Sequence, residues 1–128
     1  MMENKACGSR LERDFARMLA MEGFWVHVFQ DNRNGQPFDV IAVKDGKAFV
    51  FDCKVCTGNT FRMSRMEPNQ ISAMKRWEEC GNLEGAFAVR YATGNIYILP
   101  FRELMSLRGR GIKSLDEQQA GEVGRKWN

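Results

Sequence analysis

Asp39, Asp52 and Lys54 are the residues whose types and spacing could do chemistry. Asp39 lies in Phe38-Asp-Val-Ile-Ala-Val-Lys44, the other two in Lys47-Ala-Phe-Val-Phe-Asp-Cys-Lys54, and Asp45-Gly46 stands between the runs. Two strand-like runs joined by Asp-Gly predict a β-hairpin with a two-residue turn. With Asp45 and Gly46 as the loop, the facing pairs run Lys44 with Lys47, Ala42 with Phe49 and finally Asp39 with Asp52. Directly opposed residues carry their Cβ atoms about 4.5–5.5 Å apart on one face, where two like charges repel. Lys54, two residues beyond Asp52, points to that same face, while Phe49, Phe51 and Cys53 point away.

Two opposed carboxylates need a compensating cation. Oxygen donors of this kind suit a hard divalent ion, Mg²⁺ with Mn²⁺ as substitute, and the backbone carbonyl of Cys53 is a further candidate ligand. Such a site fits phosphodiester hydrolysis: the metal neutralises a phosphate oxygen and activates water, and Lys54 orients the nucleophile or offsets transition-state charge. The plain alternative is a solvated sheet edge where Lys54 pairs with one aspartate for up to about 1 kcal/mol. Against it, aspartate is disfavoured in strands, and both aspartates sit inside apolar runs.

Around the hairpin, Ser9-Arg-Leu-Glu12 has capping-box spacing, and Leu11, Phe15, Met18 and Leu19 recur at helical intervals. A helix is expected from about Arg10 to Met21, stopped by Gly23. Phe24 to Gln30 reads as a strand, with His27 a strand residue rather than a ligand, and Asp31 to Pro37 as a polar loop. Thr57 to Glu67 lacks apolar periodicity and reads as a loop. Pro68 suits a helix's first turn, and Ile71, Met74 and Trp77 trace its apolar face up to Gly81. Gly85 to Ala92 and Asn95 to Leu99 form a second hairpin, and Phe101 to Leu107 a short helix. The expectation is one α/β domain, residues 1–107 with 1–8 flexible, in the order α-β-β-β-α-β-β, with a mixed sheet flanked by helices. Residues 108–128, poor in apolar anchors, read as a mobile basic tail able to brush nucleic acid.

The chain has 128 residues, 44% hydrophobic and 27% charged, with a net charge of +3. It fits a single domain, and a mildly basic balance permits nucleic acid without demanding it. No stretch approaches the roughly 18 apolar residues of a membrane span and no signal-like leader opens the chain, so a cytoplasmic protein with no membrane partner is expected. Cys7, Cys53, Cys56 and Cys80 then read as reduced thiols. The lone Cys53-Lys-Val-Cys56, with one histidine in the whole chain, is too poorly supplied for zinc.

Pro37-Phe-Asp39, twelve residues, then Asp52-Cys-Lys54 resembles the PD-(D/E)xK nuclease signature. More narrowly, Gly8-Ser-Arg-Leu-Glu12, Gln36-Pro-Phe-Asp-Val-Ile41, Phe51-Asp-Cys-Lys54 and Asn69-Gln70-Ile71 resemble Holliday-junction resolvases of the RecU type and, less closely, the archaeal resolvases. The resemblance covers about Gly8 to Leu104 and implies a restriction-endonuclease-like core, a homodimer and branched DNA as partner. It also implies catalytic roles for Glu12 and Gln70. The sequence departs from the pattern in having Asp52 where glutamate is usual and Asn69 where a histidine commonly precedes the glutamine. From the residues alone Glu12 has two readings, helix cap or metal-facing acid, bound directly or through water. Gln70 would otherwise be an ordinary first-turn residue.

For DNA contact the candidates are Ser9, Arg10 and Arg13 on the first helix and Arg62 and Arg65 after Lys54. The leading expectation is a Mg²⁺-dependent endonuclease of branched DNA, in recombination or phage DNA processing. A nicking, restriction-like or repair nuclease would keep the same site with another DNA substrate. A non-catalytic DNA-binding module of the same fold would bind DNA without cutting it, and would be indifferent to Asp52→Asn.

Overall fold

The structure, a computed structural model, describes residues 2–30 and 37–127, the side chains of 2–9 excepted. Helix α1 (Met2–Met21) ends where Gly23 takes a positive φ of 94°, and strand β1 (Trp25–Val28) follows. Strands β2 (Val40–Lys44) and β3 (Lys47–Val55) form the expected hairpin. Its turn residues Asp45 and Gly46 both have positive φ, 53° and 74°, and the register pairs Lys44 with Lys47, Ala42 with Phe49 and Val40 with Phe51. Strand β4 (Thr60–Arg62) and a 3-10 turn (Met63–Arg65) lead to helix α2 (Pro68–Glu79). Next come β5 (Ala86–Arg90), β6 (Ile96–Pro100) and helix α3 (Phe101–Gly109), then β7 (Ser114–Asp116), helix α4 (Glu117–Val123) and β8 (Arg125–Lys126).

The main sheet is mixed, in the order β1-β2-β3-β5-β6-β8, and β4 pairs with β7 in a separate two-stranded ribbon. Only β3 and β5 run parallel, and the chain between them contains α2, as a parallel pair requires a crossover. Val50, Phe51, Asp52 and Cys53 are all buried, because β3 lies at the centre of the sheet with structure on both faces. On one face Leu11, Phe15 and Leu19 of α1 pack against Val40, Ala42, Phe51, Cys53, Ala88 and Ile96. On the other, Met74, Leu104, Phe61 and Leu115 close over Phe87, Val89 and Leu99.

The expected core order and its flanking helices are present, with three differences. First, α1 starts at Met2, so residues 2–8, expected to be flexible, are helical, and the Ser9 capping box falls inside a helix rather than at its start. The helix runs on upstream of Leu11, Phe15 and Leu19 through Glu3, Lys5 and Ala6, which are good helix formers, and in spite of Gly8. Second, the segment expected to be one loop, 57–67, holds β4 and the 3-10 turn, since Phe61, Met63 and Met66 are all buried. Third, residues 108–127 are not a tail. Leu115 and Ala120 are buried, and Asp116 caps α4 by accepting from the Gln119 N–H at 2.8 Å. Trp127 stands edge-on to Phe15 with ring centroids 5.9 Å apart. Gly124 permits this return: a Cβ there would lie 2.1 Å from the carbonyl oxygen of Ile98. The polar loop expected from Asp31 falls largely outside the described residues.

Candidate active site

Strand β2 begins at Val40, and Asp39 just before it leaves the regular ladder as in a β-bulge, its N–H turned to β3 and its carbonyl to β1. The Asp39 N–H donates to the Phe51 carbonyl at 3.0 Å, and the Asp39 carbonyl accepts from the Phe29 N–H at 2.9 Å. The Cys53 N–H then donates, at 2.7 Å, to the Asp39 side-chain carboxylate instead of to a backbone carbonyl. A strand residue's N–H and C=O point to the same neighbour, so the Cys53 carbonyl is directed to the Asp39 side as well.

Asp52 is the buried charged residue of the described core, 2% exposed. Its side chain hydrogen-bonds that of Asp39, although the regular register ends with Val40 opposite Phe51 and Asp39 lies outside it. Burial first, then this hydrogen bond and the Asp39 charge, push the Asp52 carboxyl up to about 9, and Lys54 pulls the other way. At neutral pH the acid pair therefore retains a proton between its two carboxyls. Lys54 is half-buried and acts on Asp52 and Cys53 alike.

Two carboxylates in contact and a carbonyl turned to the same side are hard oxygen donors, and the raised Asp52 pKa marks the positive charge that such a pair lacks. A divalent cation fits this donor set. Among the described residues no three histidine, cysteine, aspartate or glutamate side chains gather as one metal cluster.

Glu12 lies well inside α1, half-buried, so it does not cap the helix start. Its charge helps raise the Cys53 thiol, behind burial and Asp39, which places it electrostatically beside the Asp-Cys-Lys strand. Gln70 secures the start of α2, where its Oε1 accepts from the Glu67 N–H at 3.0 Å. Arg10, Arg13 and Arg62 are exposed. Arg65 is half-buried and its guanidinium donates to the Val55 carbonyl at the end of β3. The side chain of Ser9, like that of Cys7, lies outside the described residues. Burial raises both Cys53 and Cys56, the latter to about 11, so these thiols stay protonated at neutral pH.

Two features escaped the sequence. Glu67 contributes to raising Asp52, though ahead of Pro68 it reads only as the residue before a helix. Asp14 of α1 and Arg90 at the end of β5 form an ion pair at 3.0 Å, and no local pattern joins residues so far apart in the chain.

The family model described as archaeal Holliday junction resolvase (Hjc) matches residues 3–124. No curated protein sequence matches the chain. Among solved structures, a Holliday junction resolvase of the archaeal hyperthermophile Archaeoglobus fulgidus superposes with a TM-score of 0.69 at 18% identity, over 93% of this chain and 95% of that one. At that identity the likeness shows a common fold.

Proposed function

The chain belongs to the archaeal Holliday junction resolvase family, metal-dependent nucleases of the PD-(D/E)xK superfamily that act on branched DNA, and from that premise we propose which residues do the work here. Asp39, Asp52 and the Cys53 carbonyl hold Mg²⁺, for which Mn²⁺ can substitute. The metal, when bound, supplies the positive charge that stabilises the phosphate oxygens and acidifies water. Asp39 is fixed for this by the Cys53 N–H, and Lys54 orients the attacking water or offsets the charge that develops on the phosphate. Glu12 serves through water, and Gln70 keeps the start of α2 in place beside the acids. Ser9, Arg10, Arg13, Arg62 and Arg65 meet DNA phosphates, Arg65 with the donors left after its bond to Val55.

The observation that carries this assignment is the side-chain contact between Asp39 and Asp52 at the open end of the hairpin. Burying two acids together is unfavourable without a cation, and a metal-binding role gives the arrangement its reason. The finer readings extend from there. A homodimer places two such sites to cut two strands of one junction. A nearer kinship to the RecU type rests on Gln36-Pro-Phe-Asp-Val-Ile41 and Asn69-Gln70-Ile71. A cytoplasmic location follows from access to DNA, and no described helix is long and apolar enough to cross a membrane.

The test is cleavage of a four-way junction, a linear duplex and single-stranded DNA in Mg²⁺. The junction is expected to be cut in preference, by wild type and not by Asp39→Asn. Equal cutting of all three substrates would defeat branched DNA as the preferred substrate.

A further inference from the structure

We propose that the outer face of the β4–β7 ribbon is a second DNA-binding surface, which grips the phosphodiester backbone of a duplex arm away from the catalytic acids. The inference rests on the nuclease reading above and adds to it where the substrate lies.

The alternation of the two strands separates their faces. Phe61 and Leu115 point inward and are buried, while the register partners Arg62 and Ser114 share the outward face. Arg108, in the last turn of α3, and Lys113, in the turn after it, border the same groove of about 620 Å³, whose walls also include the hydroxyls of Thr60 and Ser64. No carboxylate lines the groove, and Asp116, opposite Thr60 on the same face of the ribbon, accepts from the Gln119 N–H at the start of α4. Arg62, Arg108 and Lys113 are all exposed, and neither described ion pair involves them. Three cations with hydroxyl donors between them are a surface for phosphate oxygens, and their outward exposure suits a long polyanion rather than an enclosed small one.

The ribbon is firmly held. Phe61 packs on Phe87 with ring centroids 6.2 Å apart, the Met63 N–H donates to the Lys113 carbonyl at 2.9 Å, and the Tyr91 hydroxyl donates to the Leu115 carbonyl at 3.0 Å. These bonds fix the cations relative to the sheet. Phe87 is also the β5 neighbour of Asp52, so the ribbon covers the sheet face that carries Asp52 and Lys54. Arg65 ties the following turn to the end of β3. The ribbon and the acid pair thus lie on one side of the sheet, which lets a single branched substrate meet both.

The experiment measures binding of a four-way junction across a salt series with divalent metal withheld. The Arg108→Ala/Lys113→Ala variant, which spares Arg62, should flatten the dependence of log K on log salt by about 0.9 for each phosphate no longer neutralised, roughly 2 in all. An unchanged slope and affinity would overturn the proposal. A thermal melt checks folding. If the double variant does not fold, Arg108→Glu alone, at an exposed helix end, must still flatten the slope, and an unchanged slope there is equally fatal. Wild-type cleavage in Mg²⁺, run in parallel, tests the nuclease reading separately: intact cleavage with unchanged variant binding sinks the groove alone.

Discussion

Buried Asp52 meets half-buried Asp39 at the open end of the β2–β3 hairpin, whereas Arg62, Arg108 and Lys113 hold their charges in water on the outside of the β4–β7 ribbon. In the first region the charges act on one another through protein, and burial shifts the Asp52 carboxyl far from its ordinary value. In the second, solvent and salt screen each charge, and its influence is felt only by a polyanion that approaches. The acidic region thus sacrifices stability for chemistry, while the basic one can change affinity with little effect on the fold.

The widest separation between the two regions should come from Asp52→Asn. Cleavage in Mg²⁺ is expected to fall by at least about a hundred- to a thousand-fold, while the metal-free protein at pH 8 melts several degrees higher, on the order of 1–3 kcal/mol. A variant that loses activity and stability together would break the contrast. Lys54→Met should slow cleavage by about a hundredfold, and single-turnover rates at saturating enzyme will show whether the loss lies in chemistry rather than binding.

The pH dependence sharpens the same point. Burial and the neighbouring Asp39 push the folded Asp52 carboxyl up to about 9, against 3.8 for its unperturbed value. Between those pH values the folded state keeps a proton that the unfolded state has released, so metal-free stability should fall as pH rises through that window. Denaturant titrations from pH 5 to 9 should show the decline in wild type and its loss in Asp52→Asn. A smaller effect is expected of Glu12→Gln: about a tenfold drop in cleavage, with helix content by circular dichroism unchanged, because Glu12 caps nothing. Loss of helix would return Glu12 to a structural role.

The hairpin was legible because its information is local. Asp45-Gly46 sets the turn and the register from Lys44 with Lys47 to Val40 with Phe51 follows by counting, but the count fails one step later, where Asp39 leaves the regular ladder and also bonds to Phe51. Helix α2 was legible on the same local ground, where Pro68 and the spacing of Ile71, Met74 and Trp77 suffice. The end of the chain was not legible, because its order depends on partners far away. Leu115 and Ala120 are sparse anchors in a polar stretch, and the return of β8 depends on Gly124 passing against Ile98. Capping patterns misled in the same way. Ser9-Arg-Leu-Glu12 has the spacing but sits within a continuous helix, while functioning caps at Glu67 and Asp116 use glutamine three residues on. Local spacing proposes a cap, and only the path of the preceding chain decides whether a helix begins there.

The amide of Cys53 offers a built-in gauge of the acid pair. Its hydrogen ends on the Asp39 carboxylate, not on another strand's carbonyl, so the ¹H–¹⁵N resonance of this one residue follows the electron density on that oxygen. Adding magnesium to the isolated protein should move that peak before any nucleic acid is present, giving occupancy of the centre without a substrate, a label or a turnover.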